Sequence, residues 1–284
     1  MFKAYYQLTK PGIVYGNAIA AIAGFFLAAR GHFNPLLFLA MLIGICLVIA
    51  SGCVFNNYID RGLDAKMERT KKRALVAKTI SNRNALIYGT VLGLIGLITL
   101  LLYTNLLTTF LALLGLFFYV VVYGIGKRRS IYGTLIGSIS GSIPLVVGYC
   151  SVSNNFDLGA LLLFLILAFW QMPHFYAIAM YRLHDYEEAG LPVLPAIKGM
   201  ETTKKHILFY IIGFIVSSLL LTAFKYTGYT YAIVMTLVGL YWLWLGIKGG
   251  KAKDTTKWAK GVFRFSLIVL LVFCGMLAIN SLLP

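Results

Sequence analysis

The stretch Leu36–Asp64, LLFLAMLIGICLVIASGCVFNNYIDRGLD, decides the fold. Its first part, residues 36–58, is almost wholly apolar and long enough to cross a bilayer, which takes about 20 residues as an α-helix. Two carboxylates, Asp60 and Asp64, follow at its end. If the helix continues through Asp64, then Asn56, Asp60 and Asp64 project from one face, one turn apart. The stretch therefore predicts a membrane helix that ends in a row of oxygen ligands.

The composition of the whole chain indicates a polytopic membrane protein. Of the 284 residues, 60% are hydrophobic and only 12% are charged, and the mean hydropathy is +0.84. An ordinary soluble domain carries about 25% charged residues. We therefore predict an all-α, polytopic membrane helical bundle that forms a single domain over residues 1–284. Nine apolar segments are long enough to span the membrane: 14–30, 36–58, 84–103, 106–126, 131–150, 158–181, 206–224, 229–247 and 262–283.

The positions of the basic residues predict how the bundle is oriented. Of the 25 Lys and Arg, all but Arg30 and Lys225 lie before the first span or in and around the four connections on that same side. Because Lys and Arg are enriched in cytoplasmic loops, we predict a cytoplasmic amino terminus and a carboxyl terminus on the opposite side. The net charge of +16 follows from this topology. We therefore predict membrane lipid, and no nucleic acid, as a partner.

The acidic end of the second span has the composition of a magnesium and diphosphate site. Mg²⁺ takes one or two carboxylates together with phosphate oxygens, and Lys and Arg neutralise the remaining phosphate charge. A basic run from Arg69 to Arg73 follows Asp64 directly. The alternative is a solvated helix end with local salt bridges. Asn56 favours the functional interpretation, because an amide is unfavourable inside an apolar span, and so does a second acidic cluster on the same side of the membrane.

A second acidic cluster follows the sixth predicted span, in Arg182–Glu188, RLHDYEE. Asp185 and Glu188 are three residues apart and can share a helical face. Two such clusters on one side of the membrane can hold Mg²⁺ and a diphosphate between them, whereas the alternative is a salt bridge within the loop. Lys127 and Arg128 lie in another loop on that side, where they serve as topological anchors or as phosphate contacts.

His174 lies inside an apolar span in the stretch Trp170–Tyr176, WQMPHFY. A lone histidine in such a position is usually a hydrogen-bonded core residue. Ionisable groups inside a membrane are nevertheless candidates for function, and imidazole serves both as an iron ligand and as a proton acceptor. Both functional roles stay open at this point.

Several of these motifs together resemble a known family. The pattern N-x-x-x-D-x-x-x-D, formed by Asn56, Asp60 and Asp64, resembles the first aspartate-rich motif of the UbiA superfamily of intramembrane prenyltransferases. Other stretches are similar to the branch of that superfamily that farnesylates haem, and the similarity runs nearly from end to end. These stretches are Met67–Arg73, Tyr132–Ser138, Trp170–His174 and Asp185–Pro195.

The resemblance implies a fold and a reaction. The fold is a nine-helix bundle around a central cavity that opens to lipid, in the bacterial inner membrane. Farnesyl diphosphate and haem B are the substrates, haem O and diphosphate are the products, and Mg²⁺ is the cofactor. Haem-delivery and terminal-oxidase assembly proteins are candidate partners. The implied metal ligands are Asn56, Asp60, Asp64, Asp185 and Glu188; the implied diphosphate ligands are Arg69, Arg73, Lys127, Arg128 and Arg182; His174 is the haem contact; Asp60, Asp64, Asp185 and His174 are the catalytic set.

The chain departs from the family pattern at two positions. Quinone-type members commonly carry a second aspartate four residues after the first in the later motif, where this chain has Ala189, and many members carry proline where it has Ala74. Two other functions are compatible with the sequence. One is prenylation of an aromatic quinone precursor, and the other is secondary transport, which also uses buried polar groups and broken helices.

Overall fold

A computed structural model describes residues 1–283, and within this range the chain is helical without any strand. Nine of the described helical segments are long and apolar enough to cross a membrane. This confirms the prediction of an all-α polytopic bundle. The helices are α1 Phe2–Leu8, α2 Pro11–Ala29, α3 Pro35–Asp64, α4 Asn82–Tyr103, α5 Leu106–Phe117, α6 Tyr123–Arg129, α7 Gly133–Ser153, α8 Leu158–Tyr181, α9 Leu183–Glu188, α10 Leu194–Ala223, α11 Tyr229–Ile247 and α12 Thr255–Ala278.

The start of the seventh span differs from the sequence prediction. We expected it at residue 206, whereas α10 begins at Leu194. The first turns of α10 are polar, so hydropathy alone does not detect where this helix begins. Gly199, with φ 79°, interrupts the helix, and this conformation is readily available to glycine. The ninth span also begins earlier than predicted, at Thr255, because Asp254 caps it by accepting a 2.9 Å hydrogen bond from the Lys257 amide.

The first and fifth spans pack backbone to backbone at the centre of the bundle. A Cβ built on Gly148 of α7 would lie 1.9 Å from the Ala21 carbonyl oxygen, and one on Gly24 of α2 would lie 2.0 Å from the Leu145 oxygen. Small residues are what allow membrane helices to approach this closely. The α2–α7 pair therefore forms a tight central contact, beside which α3 and α8 carry the site residues.

The fifth and sixth spans are joined by a buried amide. Gln171 Nε2 on α8 donates to the Ser138 carbonyl oxygen and the Ser142 hydroxyl on α7, both at 3.2 Å. A Cβ on Gly141 would lie only 1.9 Å from Gln171 Oε1, so a larger residue there would displace the amide. The bonds fix α8, and with it His174 one turn further along, relative to α7.

Candidate active site

The end of α3 brings three oxygen-bearing side chains onto one face, as the sequence predicted. The helix continues without interruption to Asp64, so Asn56, Asp60 and Asp64 follow one another at one-turn intervals. All three are buried, with 3%, 8% and 2% of their surface exposed. Buried carboxylates need positive partners, because an unpaired charge in an apolar environment is very costly. We call these three residues the α3 ladder.

Asp60 is paired with two cations from α6. Lys127 Nζ donates to Asp60 Oδ2, and Arg128 Nη2 donates to Asp60 Oδ1 at 3.1 Å. Arg128 also donates to the Ile59 carbonyl oxygen at 2.7 Å, which orients its guanidinium along the ladder. Residues 67 positions apart in the chain thus meet at one carboxylate. The structure therefore brings the predicted metal ligand and two predicted phosphate ligands together.

Asp64 is paired with the basic run that follows it. Arg73 Nη1 lies 2.6 Å from Asp64 Oδ2. The Thr70 hydroxyl donates to the Asp64 carbonyl oxygen at 2.9 Å, which folds the loop back over the helix end. Arg73 is half-buried by this fold, whereas Lys72 stays exposed. Arg73 therefore differs from its neighbour Lys72 in being half-buried and paired with Asp64.

Lys10 is a site residue that sequence reasoning did not single out. Its Nζ donates to Asn56 Oδ1 at 2.6 Å, and Arg73 and Lys127 lie within electrostatic range. Burial, together with the positive charge of Arg73, lowers the pKa of Lys10 to about 8. Lys10 takes a left-handed conformation, φ 51°, immediately before Pro11. A Lys-Pro step next to an apolar span is the available sequence signal.

The second acidic cluster forms the short helix α9 and meets the basic loop through Tyr186. Burial raises the pKa of the Tyr186 phenol, while the neighbouring charges of Arg69 and Arg182 oppose this rise. The charges of both guanidinium groups therefore act on the Tyr186 phenol. Asp185 Oδ2 lies 3.8 Å from Arg182 Nη1. Arg69 and Arg182, predicted from separate motifs, thus both act electrostatically on one residue of α9.

Glu188 occupies a different environment from the α3 ladder. It is exposed, and His184 Nε2 lies 3.2 Å from its Oε1. Within residues 1–283, no three His, Cys, Asp or Glu side chains are grouped so that they could hold a metal ion by themselves. Any ion at this site must therefore draw ligands from amide or substrate oxygens as well as from carboxylates.

The α3 ladder suits such a mixed ligand set. Two carboxylates and one amide oxygen are hard ligands, and Mg²⁺ binds to proteins through one or two carboxylates while phosphate oxygens complete its shell. Asn56 Nδ2 is fully buried and has no hydrogen-bond partner within residues 1–283. A buried N–H without an acceptor is suited to a phosphate oxygen beside the metal. The donor chemistry therefore fits Mg²⁺ together with a diphosphate.

Aromatic rings lie beside the helices that carry the ladder and its basic partners. Between α5 and α6 the residues Phe118–Val122 form a π-helical turn, a feature common at functional sites. Tyr119 and Tyr123 stack with ring centroids 5.9 Å apart, and Lys127 Nζ lies 4.8 Å from the Tyr123 centroid. The Tyr119 ring packs on Gly52, where a Cβ would lie 3.0 Å from Tyr119 Cδ1. These rings lie between α3 and the two hydrogen-bond donors of α6, Lys127 and Arg128.

His174 lies in a compact aromatic setting on α8. It stacks on Trp170, with centroids 4.8 Å apart, and contacts Phe263 at 4.9 Å. Its Nδ1 forms a 2.7 Å hydrogen bond with the Ser266 hydroxyl of α12. His174 is buried, with 9% of its surface exposed. Ser266 had no sequence signal, because it lies 92 residues away in an otherwise apolar span.

Comparison with known proteins gives consistent similarities. The sequence profile of the UbiA prenyltransferase family matches residues 17–277. A protein called protoheme IX farnesyltransferase from Sodalis glossinidius is 51% identical over 286 aligned residues, covering 100% of this chain and 96% of that protein. A protein of the same name from Yersinia enterocolitica is 49% identical, with the same coverage.

Solved structures share the architecture at low sequence identity. Digeranylgeranylglyceryl phosphate synthase superposes with a TM-score of 0.82 at 18% identity, covering 99% of this chain and 98% of that one. A UbiA homologue from Archaeoglobus fulgidus bound to GPP and Mg²⁺ gives a TM-score of 0.71 at 14% identity, with 97% and 99% coverage. These likenesses establish the arrangement of the helices.

Proposed function

The chain belongs to the UbiA prenyltransferase family, and on that premise we propose that it transfers the farnesyl group of farnesyl diphosphate to a vinyl group of haem B. The bond between farnesyl C1 and the diphosphate oxygen breaks, and a bond between C1 and the vinyl carbon forms. Water adds to the resulting cation and releases a proton. The products are haem O and diphosphate.

The sequence identity with protoheme IX farnesyltransferases is the observation that supports haem as the acceptor. It is about one residue in two and extends over the whole chain. This finding favours the haem reaction over prenylation of a quinone precursor. Family membership likewise favours transfer chemistry over transport. The chain is therefore an intramembrane prenyltransferase, and haem B is the acceptor that we propose.

The α3 ladder would hold the metal and the pyrophosphate end of the substrate. Bound Mg²⁺ neutralises the negative charge that develops on the departing diphosphate, as in other phosphoryl leaving groups. Asn56, Asp60 and Asp64 present oxygen atoms along one face for this ion. We include Asp185 and Glu188 of α9 as further ligands, as the family resemblance implies. A metal-bound diphosphate would thus lie between α3 and α9.

The basic residues around the ladder would bind the phosphate oxygens. Charge-assisted hydrogen bonds from Lys and Arg are stronger than neutral ones and stabilise a departing diphosphate. Lys127, Arg128 and Arg73 already pair with the ladder carboxylates. Metal and diphosphate binding would let the same cations share their hydrogen bonds with phosphate. The full set is Lys10, Arg69, Arg73, Lys127, Arg128 and Arg182.

Aromatic rings would protect the allylic cation from water before the haem vinyl group attacks. Tyr119 and Tyr123 lie beside Lys127, next to the proposed diphosphate. The faces of such rings attract a cation, by about 0.5–2 kcal/mol per contact. Phe117 is half-exposed and is therefore not one of these rings. We propose that His174 contacts the haem.

The reaction and the charge distribution imply a location. We propose that the protein lies in the bacterial inner membrane with its amino terminus and the ladder end of α3 toward the cytoplasm, since nearly all Lys and Arg lie there. We propose haem-delivery proteins as partners that supply the substrate and terminal-oxidase assembly proteins as partners that receive the product.

The direct test is product analysis. Membranes carrying the protein are incubated with haem B, farnesyl diphosphate and Mg²⁺, and the extracted haems are analysed by mass. A product heavier than haem B by one farnesyl group plus one hydroxyl group is expected, and the Asp60→Asn variant serves as the inactive control. Unchanged haem B, with diphosphate released only when an aromatic acceptor is added, would establish the quinone-type reaction instead.

A further inference from the structure

The Ser266 hydroxyl lies between two hydrogen-bond partners. Its Oγ is 2.6 Å from the Phe263 carbonyl oxygen and 2.7 Å from His174 Nδ1. A carbonyl oxygen can only accept a hydrogen bond, whereas an imidazole nitrogen either donates or accepts. The carbonyl therefore determines the direction of both bonds.

A serine hydroxyl has one proton to give. Two oxygens at 2.6 Å without a proton between them would repel, so the Ser266 proton lies on the bond to Phe263. Ser266 Oγ must then accept from His174, which requires the ring proton to be on Nδ1. The neutral imidazole consequently carries its free lone pair on Nε2.

The ring is also held in place, and Nε2 is left available. Trp170 stacks on one face of His174 at an interplanar angle of 27°, and Trp170 Nε1 donates to the Ser266 backbone oxygen at 2.8 Å. Nε2 has no partner of its own within residues 1–283, and it is not one of the fully buried unpaired atoms. The Nε2 lone pair therefore has no competing donor among the described residues.

We propose that Ser266 is a positioning residue that fixes the Nδ1–H tautomer of His174, so that Nε2 ligates the iron of the haem substrate. Histidines that bind metals commonly donate their other ring N–H to an oxygen, which orients the ring and sets the tautomer. Here that oxygen is the Ser266 hydroxyl. The inference rests on the proposed function for the identity of the haem and deepens it by naming an iron ligand and its anchor.

The tautomer is measured first, without any haem. The chain has four histidines, so nitrogen NMR of ¹⁵N-histidine-labelled protein in lipid nanodiscs, compared with the His174→Ala variant, assigns the His174 ring. We expect a neutral ring with its proton on Nδ1 in the native protein. We expect a mixture of tautomers in Ser266→Ala and the native tautomer in Ser266→Thr, which keeps a hydroxyl. A native ring protonated on Nε2 would overturn the assignment.

Haem binding is measured next by titrating haem B and recording its absorption and electron paramagnetic resonance spectra. The native protein should give the spectrum of histidine-ligated iron, and His174→Ala should lose it. Ser266→Ala should weaken haem affinity by about 10- to 100-fold, the usual effect of losing such an anchor, with Ser266→Thr close to native. Binding of farnesyl diphosphate should not change. An unaltered spectrum and affinity in Ser266→Ala would refute the positioning role.

These measurements separate the inference from the reaction. If the native protein makes haem O but His174→Ala leaves the iron spectrum unchanged, the iron ligand is wrong and the reaction stands. If the native protein neither binds haem nor makes haem O, the haem reaction and the iron ligand both fail.

Discussion

Lys10 Nζ donates a 2.6 Å hydrogen bond to Asn56 Oδ1, and thereby ties the segment before the first span to the second span. The contact completes a regular arrangement, in which every member of the α3 ladder is met by a basic side chain from a different segment. Each basic side chain thus lies beside the ladder, where we propose that the diphosphate binds. The three pairs are Lys10 with Asn56, Lys127 with Asp60, and Arg73 with Asp64.

The lowered pKa of Lys10 predicts an alkaline loss of substrate binding. As pH rises through about 8, Lys10 loses its charge, and the KM for farnesyl diphosphate should increase by up to tenfold per unit. Lys10→Arg, which stays charged, should remove this dependence, and Lys10→Met should give a high KM at every pH. A native KM that is constant from pH 7 to 9.5 would contradict the prediction.

Whereas substrate binding should weaken as the pH rises above 8, the free energy of unfolding should increase. An unfolded lysine keeps its proton up to about pH 10.4, whereas the folded chain releases it from Lys10 at about 8. Between these values the unfolded state binds more protons, so the free energy of unfolding rises with pH. Below pH 8 the folded protein bears the full free-energy cost of burying the charged Lys10 ammonium. Thermal unfolding should show this rise in the native protein and not in Lys10→Met.

The Asp60–Lys127 pair allows catalysis and stability to be separated. Asp60→Asn should lower kcat by about 10²- to 10³-fold, since it removes a ligand and a partner of two cations. It should also destabilise the fold, because it leaves Lys127 without its countercharge. The double variant Asp60→Asn with Lys127→Met should regain thermal stability and remain inactive. Near-native haem O production by Asp60→Asn would refute the metal-ligand role.

Arg73 and Lys72 form a matched pair for testing phosphate contact. Arg73→Gln should raise the KM for farnesyl diphosphate about 10- to 100-fold, since a hydrogen bond between charged groups contributes about 1.5–3 kcal/mol. Lys72→Gln removes the same charge from an exposed neighbour and should change the KM less than twofold. Equal effects of the two substitutions would show that only the overall charge of the loop matters.

The contact between α2 and α7 predicts a strong effect of a single methyl group. Gly148→Ala should lower the free energy of unfolding by about 1–3 kcal/mol, because its Cβ would meet the Ala21 backbone and neither helix can yield without repacking. Gly275→Ala is the control, since nothing lies within 4 Å of a Cβ there. Thermal unfolding in detergent measures both. An unchanged midpoint for Gly148→Ala would show that this helix pair is not tightly packed.

The sequence by itself determined the helical fold and much of the ladder. Hydropathy gave nine spans because a bilayer requires about 20 apolar residues in each. The spacing of Asn56, Asp60 and Asp64 gave a common face because the α-helix repeats every 3.6 residues. Both are local properties, and local periodicity can be read along the chain. Hydropathy failed at the start of α10, where polar turns precede the apolar part of the helix.

Only the tertiary structure decided which distant residues complete the site. Lys10 reaches Asn56 across 46 positions, Lys127 reaches Asp60 across 67, and Ser266 reaches His174 across 92. No sequence period links such positions, because their proximity depends on how the spans pack through close contacts such as Gly148 on Ala21. A charged or polar side chain in a low-dielectric interior must be paired. The packing of the spans therefore determines which partner each buried group has and which protonation state it takes, and the isolated motifs do not specify either.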